Sequence, residues 1–236
     1  MTDNFKYHPE TPLIEKTNVI DSYDRIAQTF SGTRYKAWPS TVRFVSDLPF
    51  GSRCLEVGCG NAKNMIRDDI DMIGIDSSEK LIDIGLAKGK RVEVGDGCDL
   101  RFKDDEFDSV FSIAVLHHVS NHNRRIRFVS EMIRVCGSDG NVMIEVWATS
   151  EPKFATSHVI QPDFADSSEE NTDRLVSFMS KTDNMRYDRY YHFFTETEFG
   201  DLIENTWYKT KHLRGKIHFE NHNWVFIGKV IDDLGN

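Results

Sequence analysis

Leu55-Glu56-Val57-Gly58-Cys59-Gly60-Asn61 is the stretch on which the fold turns. An apolar strand, Cys54-Leu55, runs into an acid and then into a glycine-rich bend that opens a helix. Glycines such as Gly58 and Gly60 let the backbone take demanding angles and approach a ligand closely. Backbone N–H groups at the new helix start can cradle a polar group. Two glycines alone say little, because a dinucleotide-binding G-x-G-x-x-G begins the same way. Here the third small residue is Ala62, and the last glycine of that fingerprint is missing at Lys63.

Working outward, Asp76 closes the next strand in Ile73-Gly74-Ile75-Asp76, where a carboxylate can accept both hydroxyls of a ribose. Asp96 follows a third strand in Val94-Gly95-Asp96-Gly97, placed to reach an adenine edge. Phe107-Asp108-Ser109-Val110-Phe111 then leads into a fourth strand and a site floor. A lone Asp at a strand end reads most simply as a cap. Three acids at matching strand ends read as a ligand site.

The 236 residues, 39% hydrophobic and 28% charged, suit one α/β domain. No apolar run reaches the ~18 residues that span a bilayer, and Met1–Lys6 has no signal-peptide profile. The expected setting is the cytoplasm, with the nucleus open. Four scattered cysteines form no C-x-x-C pair and suggest neither zinc nor disulfides. A net charge of −9 argues against nucleic-acid binding by the whole surface, so an RNA partner needs a local basic patch. Lys209–His218, with four Lys/Arg and no acid, is the best one, and Arg124, Arg125 and Arg127 form a second.

Strand candidates are Arg53–Val57, Met72–Ile75, Arg91–Val94, Phe107–Ile113 and Val142–Trp147, alternating with helical patterns in βαβ fashion. Ser77-Ser78-Glu79 and Ser120 are offered as N-caps, and Gly137–Asn141 as a turn. Val19–Phe30 reads as an amphipathic helix, Thr197–Asn205 as another, and Tyr208–Leu213 and Trp224–Val230 as final strands. Glu151–Asp173 is a polar, acid-rich connection long enough to be a functional loop. The expected divisions are a cap (1–50), a cofactor core (51–148), a substrate-side insertion (149–194) and a C-terminal helix with a strand pair (195–236).

Taken together, the four segments around Glu56, Asp76, Asp96 and Phe107 resemble the class I S-adenosyl-L-methionine methyltransferases. The resemblance implies a Rossmann-like α/β fold with a mostly parallel seven-stranded sheet and helices on both faces. It implies S-adenosyl-L-methionine as cofactor, with Glu56 near the methionine ammonium, Asp76 on the ribose and Asp96 facing adenine. Gly58, Gly60, Ser77, Gly97 and Ile113 complete the implied cofactor contacts.

Thr33-Arg34-Tyr35-Lys36-Ala37-Trp38-Pro39, Ser112–His118 and Arg189-Tyr190-Tyr191-His192 resemble one group more closely. That group is the eukaryotic tRNA wobble-uridine carboxymethyl methyltransferases, which esterify 5-carboxymethyluridine in the anticodon loop. The likeness runs from about Val19 to Val230, and the Arg34–Pro39 and Arg189–His192 segments carry its specific signal. Ala62, in place of the glycine common there, and the acidic Asp163–Asp173 stretch depart from the pattern. The resemblance also implies a small zinc-binding activator protein paired on the edge strand Arg91–Val94.

Methylating a carboxylate needs no strong base, because the acceptor oxygen is already a nucleophile. A tight arginine clamp would stabilise the charged ground state more than the transition state, in which the charges partly cancel. Orientation and exclusion of water can supply up to ~7–11 kcal/mol. Arg34, His117 and Arg189 are the candidate catalytic groups, and the two arginines carry a donor fork suited to carboxylate or phosphate. Tyr35, Lys36, Trp38, His118, Tyr190, Tyr191 and His192, with Trp147, are candidates for holding a base flipped from its stack. The alternatives left open are a small-molecule methyltransferase, which the Leu116-His117-His118 run also permits, and a non-catalytic cofactor-binding scaffold.

Overall fold

The computed structural model describes residues 8–34, 36–160 and 172–233. Its centre is an eight-stranded sheet in the order β3-β2-β1-β4-β5-β11-β10-β9. β1 (Arg53–Val57) lies between β2 (Asp71–Asp76) and β4 (Phe107–Ile113), parallel to both, and β3 (Val92–Val94) is the outer edge beside β2. β5 (Cys136–Trp147) is parallel to β4, while β11 (Asn223–Asp232) enters antiparallel against β5. β10 (Lys211–Glu220) pairs antiparallel with β11, and the two-residue β9 (Trp207–Tyr208) adds an eighth strand to the expected seven.

Every residue of β1 except Arg53 is buried, because helices cover both faces of the sheet. Leu55, Val57, Val110, Val142, Ile144 and Val146 pack on one face with Phe128, Val129, Met132 and Ile133 of α5 (His122–Val135) and Phe199 and Leu202 of α7 (Glu196–Asn205). Cys54, Phe111 and Met143, one residue out of phase, pack on the other with Phe44 and Val45 of α3 (Pro39–Ser46) and Ile82 of α4 (Glu79–Ala87). Period-two alternation therefore feeds two cores. Each such buried apolar side chain contributes about 1.5–3 kcal/mol.

The N-terminal helix is longer than its sequence signal. A short α1 (Leu13–Glu15) continues through a π-helical turn (Lys16–Ile20) into α2 (Asp21–Thr33). α5 is capped by Asn121, whose side chain accepts from Arg124 N–H; Ser120 is diverted, its N–H and hydroxyl both donating to Glu15. Within Ser77-Ser78-Glu79 it is Ser78 that caps α4, its side chain accepting from Leu81 N–H.

Gly137–Asn141 is not a free turn but the bulged start of β5, with Asp139 at φ 64° and a register shift opposite Phe107/Ser109. A Cβ on Gly140 would lie 2.5 Å from Cys136 Sγ, so the bulge needs a glycine there. The insertion also carries structure the sequence did not announce. α6 (Pro152–Thr156) leads to a second, antiparallel sheet of β6 (His158–Val159), β7 (Asp173–Met179) and β8 (Arg186–His192). Of the acidic Asp163–Asp173 stretch, residues 163–171 lie outside the described residues. Among the described residues no helix is long and apolar enough to cross a membrane.

Candidate active site

The glycine turn sits where β1 ends. Gly58 has φ +80°, and a Cβ there would meet Val115 Cγ2 at 2.2 Å. Gly60 has φ +53°, and its N–H donates to Asp76 Oδ2 at 2.8 Å. Asp76 Oδ1 accepts from Ser78 N–H at 2.9 Å, so β2's terminal carboxylate ties the turn to the start of α4. Burial pushes the Asp76 carboxyl up to about 6, against those N–H donors. Ala62 holds φ 59°, a left-handed conformation that costs a residue with a Cβ about 1–2 kcal/mol.

Glu56, 1% exposed, projects from β1 beneath the turn. Asn64 donates to its Oε1 at 2.6 Å, while Oε2 has no hydrogen-bond partner among the described residues. Burial pushes its carboxyl up to about 8. A buried, half-satisfied carboxylate of this kind calls for a cation. The cradle thus fits S-adenosyl-L-methionine: Glu56 can take the amino-acid ammonium, and Asp76 faces the cavity where a ribose would lie.

Two adjoining cavities meet along Val19, Gly58, Asp76, Ser77, Val115 and His118. The first, of 280 Å³, is walled by Ile75, Val94, Asp96, Gly97 and Phe128, a slot suited to an adenine. A Cβ at Gly97 would lie 2.2 Å from Phe128 Cε2, so glycine lets the slot's wall pack closely. Asp96 is not free there: Cys98 N–H donates to Oδ1, and Arg124, itself held by Glu15, lies 3.1 Å from Oδ2.

The second cavity, of 480 Å³, gathers Tyr23, Arg34, Lys36, Trp38, Lys63, Asn64, Ile113, His117, His118, Trp147, Arg189 and Tyr191. His118 Nδ1 donates to the Tyr190 carbonyl at 2.7 Å, which leaves Nε2 to accept from the Tyr23 hydroxyl at 2.9 Å. His117 Nδ1 accepts from Trp147 N–H at 3.1 Å, so its proton stays on Nε2. Burial drives the His118 imidazole down to about 3 and that of His117 well below its ordinary value, and both rings are neutral at physiological pH. Arg189, 3% exposed, donates to Tyr23 Oη at 3.2 Å and lies over the Tyr23, Phe178 and Tyr191 rings. Trp147 and Tyr191 stack at 4.4 Å and 15°.

The structure brings together most of the expected residues and separates others. Along β8, Arg189 and Tyr191 face the cavity, while Tyr190 and His192 point the other way. Tyr190 donates to Asp173 Oδ1 at 2.7 Å, and His192 bridges Asp173 (2.7 Å) and Glu198 (2.6 Å). Their expected substrate role gives way to a structural one, as the two-residue period of a strand requires. Tyr35 lies outside the described residues. The expected basic patches are largely consumed: Arg124 and Arg125 are buried on Glu15, Asp96 and Glu198, and Arg127 pairs with Glu10. Lys209 pairs with Asp104 and Lys211 with Asp105, which leaves Arg214 and Lys216 exposed on β10. Tyr23, Lys63 and Asn64 were missed. Tyr23 is readable only as part of an amphipathic helix, and Lys63 and Asn64 only as flanks of the glycine turn.

A model of the methyltransferase domain matches residues 55–144. The chain is 34% identical to the tRNA (carboxymethyluridine(34)-5-O)-methyltransferase of Schizosaccharomyces pombe, over 80% of this chain and 88% of that protein. It is 43% identical to the enzyme of the same name from Arabidopsis thaliana, over 60% of this chain but only 35% of that longer protein. Among solved structures, Streptomyces venezuelae DesVI superposes with TM-score 0.65 at 16% identity, covering 88% of this chain and 98% of that one. A Haloferax volcanii putative methyltransferase in complex with the Trm112 activator superposes with TM-score 0.55 at 16% identity, covering 92% and 100%. These show the Rossmann-like methyltransferase fold, and the cradle around Glu56 and Asp76 is fitted to S-adenosyl-L-methionine. The chain belongs to the tRNA (carboxymethyluridine(34)-5-O)-methyltransferase family.

Proposed function

We propose that this protein methylates the carboxymethyl group of 5-carboxymethyluridine at the tRNA wobble position. The observation that carries the reading is the second cavity: basic side chains, two neutral imidazoles and a stacked aromatic pair line it beside the cofactor cradle. When bound, S-adenosyl-L-methionine supplies an electrophilic methyl group. The chain's own task is then orientation. Trp147, half-buried and backed by the stacked Tyr191 ring, offers flat aromatic surface for a flipped base. The Nε2–H of His117 is a neutral donor for a carbonyl or carboxylate oxygen. No group in the cavity needs to take a proton, since a carboxylate acceptor carries none.

Arg189 is the buried cation of the site. Its Nε has no partner among the described residues, while Nη1 donates to Tyr23 and the guanidinium lies over the Tyr23, Phe178 and Tyr191 rings. Such a guanidinium can steer an anionic acceptor without closing a two-point clamp on it, as the charge cancellation in this reaction demands. Arg34 stands at the mouth with its guanidinium over Phe30.

The partner we propose is a small zinc-binding activator that adds a strand to β3. In support, β3 is an edge strand of the large sheet, paired only with β2 among the described residues, and Val94 is 40% exposed on it. The Haloferax relative is complexed with the Trm112 activator. With Lys209 and Lys211 neutralised and a net charge of −9, tRNA phosphates need cations beyond Arg214 and Lys216, and a partner can bring them. The cellular test is the nucleoside content of tRNA after deletion of the gene. The methyl ester of 5-carboxymethyluridine should vanish and its free acid accumulate. Unchanged ester would exclude the proposal.

A further inference from the structure

Lys63 follows the glycine turn directly and reaches into the second cavity. Its ammonium lies 5.3 Å from the centre of the Trp38 ring, yet makes no hydrogen bond or ion pair among the described residues. Four lysines elsewhere pair with carboxylates: Lys80 with Asp83, Lys90 with Asp68, Lys209 with Asp104 and Lys211 with Asp105; Lys63 is instead part-buried against a cavity. Among the described residues Arg34, lining the same cavity, also pairs with no carboxylate; its guanidinium donates to the Thr33 carbonyl and lies over Phe30. Two cations that repel each other thus face one space in an acidic protein.

Their surroundings do not neutralise them. Burial lowers the Lys63 ammonium below its ordinary value, Glu56 and Glu145 within electrostatic reach push it back up, and Arg34 lowers it. Those two carboxyls are themselves raised, to about 8 and about 7, so at neutral pH they supply less than two full negative charges. An anion between Lys63 and Arg34 would relieve both. Two carboxylates come to this cavity in the methyl-transfer reading, on which the inference rests: the one on the amino-acid end of the cofactor, and the one on the acceptor.

We infer that Lys63 and Arg34 together form a carboxylate-binding site at the rim of the cofactor cavity. The cofactor's carboxylate is the better fit. Glu56 lies within electrostatic reach of Lys63, so acid and base stand as a pair for the two ends of a zwitterion. Holding that end stabilises ground and transition states alike. A tight grip on the acceptor would stabilise the ground state more than the transition state.

Calorimetry with S-adenosylhomocysteine and with 5′-methylthioadenosine, which lacks the amino-acid end, separates the sources. In Lys63→Gln, affinity for S-adenosylhomocysteine should fall about tenfold or more while that for methylthioadenosine is unchanged, and Lys63→Arg should restore most of the loss. If S-adenosylhomocysteine binding is unchanged but KM for substrate tRNA rises about tenfold, the site holds the acceptor carboxylate instead. Equal losses for both nucleosides would mean a structural role, and no change in either binding or KM would mean no site; either overturns the inference. The nucleoside measurements need no tRNA, so they stand even if the RNA substrate proves to be another.

Discussion

Asn64 Nδ2 lies 2.6 Å from Oε1 of the buried Glu56 and leaves Oε2 of that carboxyl without a partner among the described residues. This half-satisfied acid makes cofactor binding pH-dependent. In the free protein its carboxyl is raised to about 8, chiefly by burial. An incoming ammonium favours the ionised form, so binding releases a proton below that pH. Affinity for S-adenosylhomocysteine should therefore rise with pH and level off near 8. Calorimetry in buffers of different ionisation enthalpy should detect the proton, and Glu56→Gln should abolish its release and weaken binding throughout.

The same shift predicts a stability profile. Because the folded value lies above the unfolded one, Glu56 contributes stability that is full below the ordinary carboxylate range and is lost as pH rises through about 8. Asp76 and Glu145, raised to about 6 and about 7, act in the same direction over lower windows. Thermal melts of the cofactor-free protein should lose stability between pH 5 and 8 relative to Glu56→Gln, and saturating cofactor should shrink the difference.

Asp76→Asn keeps the size of the side chain that bonds Gly60 and Ser78, but removes its charge. Charge-assisted hydrogen bonds to ribose hydroxyls are worth roughly 1.5–3 kcal/mol, so cofactor affinity should fall about tenfold or more. Calorimetry at pH 8 checks it, and unchanged affinity would remove Asp76 from the site.

The Tyr23 hydroxyl links His118 and Arg189, at 2.9 and 3.2 Å. Tyr23→Phe should lower kcat by roughly 10–100-fold through loosened positioning. Cofactor affinity should hold, because the variant keeps the ring that faces Arg189. An unaltered kcat would show that the link is not needed for orientation.

His192 stands between Asp173 and Glu198 in a buried charge cluster. His192→Ala removes a buried hydrogen-bond partner from both Asp173 and Glu198 and should destabilise the fold by about 1–3 kcal/mol. Thermal melts should show the loss, with cofactor affinity unchanged where the protein stays folded. A stable variant with impaired tRNA binding would return His192 to the substrate site.

The cofactor turn could be read from sequence because strand ends are local. Gly58, Gly60, Asp76 and Asp96 sit where an apolar run meets a polar bend, and β1 and β4 have the expected limits. The β7–β8 sheet was hidden because its strands mix charged, aromatic and apolar residues, with neither a clean alternation nor a continuous apolar run. The bulged start of β5 looked like a turn for the same glycines that permit its close packing. Basic patches were misjudged for a different reason. Whether Lys209 or Arg124 is free depends on Asp104 and Glu15, more than a hundred residues away in sequence.

Transfer of a labelled methyl group is the most direct test of the whole account. The chain with the proposed activator, S-adenosyl-L-methionine carrying a labelled methyl, and tRNA bearing 5-carboxymethyluridine are combined, and the digested nucleosides are read by mass spectrometry. The expected result is label in the base-labile methyl ester of that nucleoside, absent with Glu56→Gln or Asp76→Asn at low cofactor concentration. Label elsewhere on the RNA, or none on any tRNA from a preparation that binds cofactor normally, would contradict it.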